Sequence, residues 1–332
     1  MKTFLVTGGA GFIGSNFINY LYNNYSDYKI INLDKLSYGS NLDNVKNVKN
    51  VKNNYEFIKK DINDDLSDII NNVDYIINFA AESHVDRSIA NPANFLKVNI
   101  NGVINLLECV RKSKNDPVLI HIGTDEEYGD IINGSFKEND LLNPSSPYSA
   151  SKASASLITL SYFRTYGIKT MITRTSNNFG KYQFPEKLIP KTVIRNSLNM
   201  AIPLYGTGQN KRDWIYVDDN IKAILTILFK GKLGEIYNIS SNNELSNINI
   251  VNKIFNIMNK TGKIKYVSDR PGHDVRYSIN SDKVRKLGWK PEYNFDNALK
   301  LTIEWYLNNK EWWNKLVNQN ILSEEPWKVT WN

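Results

Sequence analysis

The 332-residue chain has one cysteine, Cys109, and three histidines. A single thiol excludes an internal disulfide and fits a reducing compartment, so a cytoplasmic chain is expected. Three histidines with no Cys/His cluster leave no metal-ligand spacing, and no metal is expected. Long apolar runs are missing as well. Tyr75–Ala81 and Ile221–Phe229 fall short of the roughly 20 residues that a membrane span needs. No basic stretch leading into an apolar one marks a signal peptide at the N-terminus.

What is present is an ordinary globular mix, 41% apolar and 23% charged, which excludes disorder over the whole chain. The length suits about two domains. Forty-one Lys and Arg against 34 Asp and Glu give a net charge of +7. That balance is compatible with a nucleic acid, with small anionic ligands, or with solubility alone. The 47 asparagines read as coding bias, so no Asn is weighted on composition. Val45–Asn53 is three copies of Val-Lys-Asn, a period that fits neither a buried helix nor a buried strand, and reads as a low-complexity surface segment.

Short apolar runs at Thr3–Thr7, Lys29–Leu33, Tyr55–Lys59, Tyr75–Phe79 and Val118–Gly123 predict buried strands. Helix-like segments at Ile13–Tyr25, Leu66–Ile70 and Pro92–Lys112 lie between several of them. A helix over Ser151–Tyr166 and a strand over Lys169–Arg174 follow. The alternation predicts an α/β fold, a doubly wound parallel sheet of Rossmann type, with a smaller mixed α/β C-terminal substrate domain. Residues 1–175 are expected to form the cofactor domain, with returns at about 213–238 and 281–303. Residues 176–212 and 239–280 form the substrate domain, with a helix over Asn247–Lys260, and 304–332 a C-terminal helix and Trp-rich arm.

Gly8, Gly11 and Gly14 follow strand one and open helix one, a variant of the dinucleotide fingerprint. Glycine lets the backbone approach a pyrophosphate seated on the helix N-terminus. Asp34, at the end of strand two, suits the adenosine ribose hydroxyls and would repel a 2′-phosphate, which favours NAD over NADP. Asp61 and Ile62 are placed to meet the adenine. Tyr148 and Lys152, four apart at a helix start, share one face. The ammonium is expected to lower the tyrosine pKa and make the phenol a base toward a substrate hydroxyl.

The glycine loop, Asn78-Phe79-Ala80-Ala81, Thr124 and the Tyr148/Lys152 pair together resemble the extended short-chain dehydrogenase/reductase family. The resemblance implies that Thr124 hydrogen-bonds the substrate hydroxyl, that Tyr148 moves a proton, and that Lys152 also holds the nicotinamide ribose. It implies further cofactor contacts at Phe12, Ile13, Lys35, Ala80, Ala81, Ser83, Asn99 and Asn178. Thr124-Asp125-Glu126 resembles the hallmark of the nucleotide-sugar 4,6-dehydratases. Glu127 is read as a solvated acidic turn residue.

Similarity to the dTDP-glucose 4,6-dehydratase branch extends over about residues 1–305, through Ala80–Ser88, Arg174–Gly180, Tyr182–Pro190, Arg212-Asp213-Trp214 and Asp269–Asp274. Glu127 and Lys181 depart from it, standing where that branch usually has an apolar residue and a proline. The implied reaction is C4 oxidation, loss of water across C5–C6 and hydride return to C6. In it Glu126 removes the C5 proton and Asp125 donates to the departing hydroxyl. Implied substrate contacts are His84, Asn177, Glu186, Lys187, Leu188, Pro203, Tyr205, Arg212, Asn238, Arg270 and His273. His121 reads as core, and Cys109 as buried and inert. A homodimer is implied, through a four-helix interface of about 94–112 and 151–167. Alternatives are a 4,6-dehydratase of a UDP-, CDP- or GDP-sugar, a 4-epimerase or decarboxylase, and a silent NAD- or RNA-binding scaffold.

Overall fold

The computed structural model describes residues 1–49, 54–318 and 320–330. Asn50–Asn53 of the Val-Lys-Asn repeat and Trp331 of the arm lie outside the described residues. The strands, in chain order, are β1 (Lys2–Thr7), β2 (Tyr28–Leu33), β3 (Tyr55–Ile58), β4 (Tyr75–Asn78), β5 (Val118–Thr124), β6 (Thr170–Thr175), β7 (Asn177–Phe179), β8 (Ile202–Tyr205), β9 (Lys211–Tyr216), β10 (Ile236–Ile239), β11 (Glu244–Ser246) and β12 (Ile264–Val267). Seven form one parallel sheet in the order β10-β6-β5-β4-β1-β2-β3.

A parallel sheet carries helices on both faces, so its strands are buried on both sides. Alternation along the strands divides the core accordingly. Phe4, Val6, Ile77 and Ile120 pack against Phe17, Ile18 and Leu21 of the helix Phe12–Asn24 and Ile221, Ile224 and Leu228 of the helix Val217–Lys230. Leu5, Ile76 and Leu119 face the other way, onto Leu106, Leu107 and Val110 of the helix Gly102–Lys112. Cys109 is buried there. His121 is also buried and shares a hydrogen bond with the Asn78 amide, Nδ1 to Nδ2 3.2 Å.

Several expected boundaries shift. The segment Pro92–Lys112 is not one uniform α-helix. A π-helical stretch, Lys97–Asn101, interrupts it, as such turns often do beside functional sites. The helix expected to run to Lys260 ends at Ile257, because Asn259 takes a left-handed φ of 47°. The expected return at 213–238 is split. β9 pairs with β7 and antiparallel β11 in a separate three-stranded sheet, whereas β10 joins the main sheet. The boundary at 304 cuts a helix, Phe295–Asn308, whose Asn294 side chain caps the Asp296 and Asn297 amides. Its Phe295, Leu299 and Ile303 pack with Phe179, Ile189 and Trp214 rather than with the main sheet. The arm is pinned where Trp312 donates to the Asn44 side chain at 2.8 Å and Trp327 lies edge-on to Tyr205.

Candidate active site

The C-terminal ends of the parallel strands open into a cleft of about 1600 Å³, including open space at its mouth. Gly8, Gly11 and Gly14 line one end. Gly8 has φ +69°, and a Cβ there would stand 2.7–2.9 Å from the Phe79–Ala80 backbone. Gly11 is the N-cap of the helix Phe12–Asn24, and no side chain caps its first turn. The free N-terminal amides form an anion cradle that fits a pyrophosphate. Asp34 is held by the Ala10 and Leu36 amides at 3.0 and 2.8 Å and by the Ser40 hydroxyl at 2.9 Å. Lys35 pairs with Asp61 at 3.3 Å beside Ile62. Phe12, Ile13, Ala80, Ala81, Ser83 and Asn178 also line the cleft.

Asn99 does not. The π turn aims it inward, where it bonds the Glu82 amide at 2.8 Å, the Glu82 carbonyl at 3.0 Å and the Ser151 hydroxyl at 2.8 Å. It ties the loop after β4 to the helix that begins at Pro147.

At the centre, β5 delivers Thr124 and then turns through Asp125–Glu127. The helix Pro147–Tyr166, with Ser146 as N-cap and Pro147 in its first turn, presents Tyr148 and Lys152 across from it. The Thr124 hydroxyl donates to Asp125 at 3.2 Å, and Thr124 and Tyr148 both line the cleft. Burial, then the neighbouring Glu126, pushes the Asp125 carboxyl well above the usual carboxylate range, a shift that favours its protonated form. Burial raises Glu126 as well, with Arg270, Arg212 and Lys187 opposing. Two adjacent carboxyls therefore differ in role: one suits a proton donor, the other a base.

The expected lowering of Tyr148 by Lys152 is absent. The Lys152 ammonium is tied to the Ile122 carbonyl at 2.6 Å, and burial pushes its pKa down to about 8. Burial and the charges of Glu126, Glu127 and Asp125 raise the phenol, and the Thr124 hydrogen bond opposes them.

Glu127 is not a solvated turn residue. It is fully buried, accepting from the Thr124 amide and ion-paired to buried Arg174 at 2.7 Å. The signal was available as Thr124-x-x-Glu127, the capping-box spacing. At the other departure, the Lys181 carbonyl accepts from Asn16 at 3.0 Å. Burial raises Asp218 nearby, and the Lys181 charge opposes that rise.

Of the expected substrate residues, His84, Asn177, Glu186 and Lys187 line the cleft with Thr124. Glu186 accepts from the Tyr38 hydroxyl at 2.5 Å and lies 3.4 Å from His84, which burial keeps neutral. Lys187 donates to the Ser83 carbonyl at 2.9 Å. Arg270, Arg212, Tyr205 and His273 form a second, adjoining cluster outside the cleft wall. Asp86 gathers Arg270 at 3.0 Å and the Tyr205 hydroxyl at 2.8 Å. Arg212 lies 4.1 Å over the Tyr277 ring and donates to the Asp274 carbonyl at 3.0 Å. His273 meets Asp269 at 2.5 Å.

Three other expected contacts are not among the residues that line the cleft. Asn238 is buried, accepting from Tyr128 at 2.9 Å and donating to the Phe136 carbonyl at 3.2 Å. Pro203 sits in β8 opposite Lys265. Leu188 packs into the apolar clusters. Tyr38 and Arg87, stacked at 3.8 Å in the cleft wall, are not among the expected site residues: Tyr38 lies in a loop that neither periodicity nor motif spacing singles out, and Arg87, on the helix Val85–Ala90, was covered only by the Ala80–Ser88 motif as a whole.

Residues 5–302 match the family described as GDP-mannose 4,6 dehydratase. Low-salt glycan biosynthesis protein Agl12 of Haloferax volcanii is 46% identical, over 92% of this chain and 99% of the relative. The crystal structure of dTDP-glucose 4,6-dehydratase from Bacillus anthracis in complex with NAD is 45% identical, covers 96% of this chain and all of that one, and superposes with a TM-score of 0.89. The chain belongs to the dTDP-glucose 4,6-dehydratase family. A second member, DesIV of Streptomyces venezuelae with NAD and dTDP bound, is 40% identical over 95% of this chain and all of its own, with a TM-score of 0.90. Membership in the dTDP-glucose 4,6-dehydratase family accounts for carboxyls standing beside a dinucleotide cradle, which a plain dehydrogenase does not need.

Proposed function

We propose that this chain is an NAD-dependent hydro-lyase that converts dTDP-glucose to dTDP-4-keto-6-deoxyglucose in deoxysugar biosynthesis. The observation that carries the reading is the convergence of Asp125, Glu126 and Tyr148 on one cleft with a glycine cradle at its end. Bound NAD would supply a reversible hydride acceptor.

The C5 hydrogen of glucose is not acidic until C4 is a ketone. Thr124 and Tyr148, which line the same stretch of the cleft, hold the C4 hydroxyl, and Tyr148 takes its proton. Glu126 then removes the C5 proton, and Asp125 gives its proton to the leaving C6 hydroxyl, matching its raised pKa. Gly8, Gly11, Gly14, Asp34 and Lys152 hold the cofactor. Lys187, Arg212 and Arg270 carry the charge for the substrate diphosphate, with a guanidinium fork suited to phosphate oxygens. Residues 176–212 and 239–280 bind the nucleotide sugar.

The protein works in the cytoplasm as a homodimer. Leu96, Leu157 and Tyr166, on the helices expected to pair, are 44%, 55% and 54% exposed, an apolar face suited to a second copy. Sedimentation at micromolar concentration tests this, and a pure monomer refutes it. The activity is tested with dTDP-glucose and UDP-glucose by comparing kcat/KM and by the alkaline absorbance of a 4-keto-6-deoxy sugar. A UDP-glucose preference, or an epimer as product, overturns the assignment.

A further inference from the structure

The reaction leaves one carboxylate of the central turn unused. Glu127 lies fully buried beneath Thr124 and Asp125. One of its oxygens accepts from the Thr124 amide at 3.1 Å and from the Ser156 hydroxyl at 3.0 Å, and the other accepts from Arg174 Nε at 2.7 Å. Arg174 is itself buried, lies 4.5 Å over the Tyr128 ring and reaches the Glu138 carbonyl at 3.5 Å. A Cβ at Gly123 would stand 2.5 Å from the Glu127 carboxylate, so the glycine leaves room for it. β5, β6 and the helix Pro147–Tyr166 thus converge on one side chain.

What hangs on that convergence is Thr124. Its hydroxyl donates to Asp125, the donor for elimination, at 3.2 Å, and it lines the cleft together with Tyr148, the base for oxidation. A buried ion pair is no more stabilising than a well-packed apolar pair of similar volume, so stability alone does not account for Glu127 and Arg174. We propose that Glu127 is a positioning residue that, through the Thr124 amide, holds the Thr124 hydroxyl and the acidic carboxyl in register with one sugar. This deepens the function proposed above and rests on it. Removing the carboxylate lets the turn shift, and misplacement by about 1 Å can cost on the order of a hundredfold in rate.

Two double variants isolate the acceptor. Glu127→Gln/Arg174→Met keeps an oxygen for the Thr124 amide, whereas Glu127→Leu/Arg174→Met does not, and both remove the ion pair. The first should keep kcat within about threefold of wild type. The second should lose kcat by about ten- to a hundredfold with KM within about twofold, at a similar melting temperature. Equal kcat in the two doubles, high or low, overturns the positioning role while active wild type leaves the function standing. Wild type inactive on every nucleotide sugar overturns both. If the leucine double does not fold, Glu127→Asp decides. It keeps the charge for Arg174 but is one methylene short of Thr124, so an undiminished kcat refutes the proposal.

Discussion

The two ends of the cleft solve different problems in different ways. The cofactor end is built from backbone. Gly8 approaches the Phe79–Ala80 peptide too closely for a Cβ, and Gly11 leaves a helix N-terminus open. The substrate end is built from buried charge. At or beside it, Asp86, His84, Glu186 and Lys191 are buried and the Arg270 side chain is 13% exposed, and each leans on a neighbour of opposite or exchangeable charge. Under the proposed function the first end takes the resident cofactor by backbone shape. At the second, Arg270 already rests on the Asp86 carboxylate at 3.0 Å, so a substrate diphosphate bound there would compete with a protein anion for it.

The largest effect is expected where the ends meet. Asp125→Asn with Glu126→Gln removes donor and base together, and dehydration should fall by about 10⁴-fold or more. The glycine cradle and the Arg270 cluster should be untouched, so bound NAD and dTDP affinity should stay near wild type. Near-wild-type dehydration would end the assignment of both carboxyls.

At the cofactor end, Gly8→Ala should weaken NAD retention by about ten- to a hundredfold, because overpacking costs roughly 1–3 kcal/mol and Gly8 also needs its left-handed φ. Cofactor carried through purification reports it. Full NAD occupancy would show that the cradle is softer than its backbone contacts imply.

At the substrate end, Arg270→Met should raise KM about tenfold or more, the scale of one charged hydrogen bond of roughly 1.5–3 kcal/mol. It should also destabilise the fold, because Asp86 is left buried beside a missing cation. Burial would raise the Asp86 carboxyl, but the Arg270 guanidinium and the Tyr205 hydroxyl hold it down. Breaking one partner of such a pair costs about 3–5 kcal/mol. Adding Asp86→Asn should recover melting temperature without recovering KM. If both recover together, Arg270 acts on the fold and not on the diphosphate.

The same contrast explains what could be read in the sequence. The parallel sheet, the glycine cradle and the Tyr148/Lys152 face follow from periodicity and short spacing, and all sit where expected. The substrate end is assembled across long separations: Asp86 meets Arg270 and Tyr205 only once β8 and the 269–274 loop fold over the helix Val85–Ala90. Asn238 and Asn99 have the chemistry of ligand contacts, but buried backbone groups claim them first. Glu127 was misread because an acidic run past a strand end usually meets water, and its partner Arg174 lies on another strand. Lys152 sat on the right face, yet its charge went to the Ile122 carbonyl, a backbone group no spacing argument reveals.

The smallest effect concerns the cost of buried charge. Lys191, on the helix Leu188–Ser197, is 7% exposed and donates to the Ser323 carbonyl at 3.2 Å. Burial pushes its pKa down to about 8, although Asp86 and Glu186 oppose the fall. The unfolded chain keeps that proton until about 10.4. Between those values the unfolded state binds more protons than the native one, so stability rises with pH. Below about 8 the folded protein carries the whole penalty, about 3 kcal/mol, and above about 10.4 it carries none. Lys191→Met removes the titrating group and loses one hydrogen bond of about 1 kcal/mol. It should therefore melt higher than wild type at pH 7, by the equivalent of about 2 kcal/mol. The advantage should shrink steadily from pH 8 and vanish or reverse near pH 10.4. Melting curves across that window decide it. A difference that does not change with pH would mean that Lys191 is not a carrier of that penalty and that Asp86 and Glu186 already balance its charge.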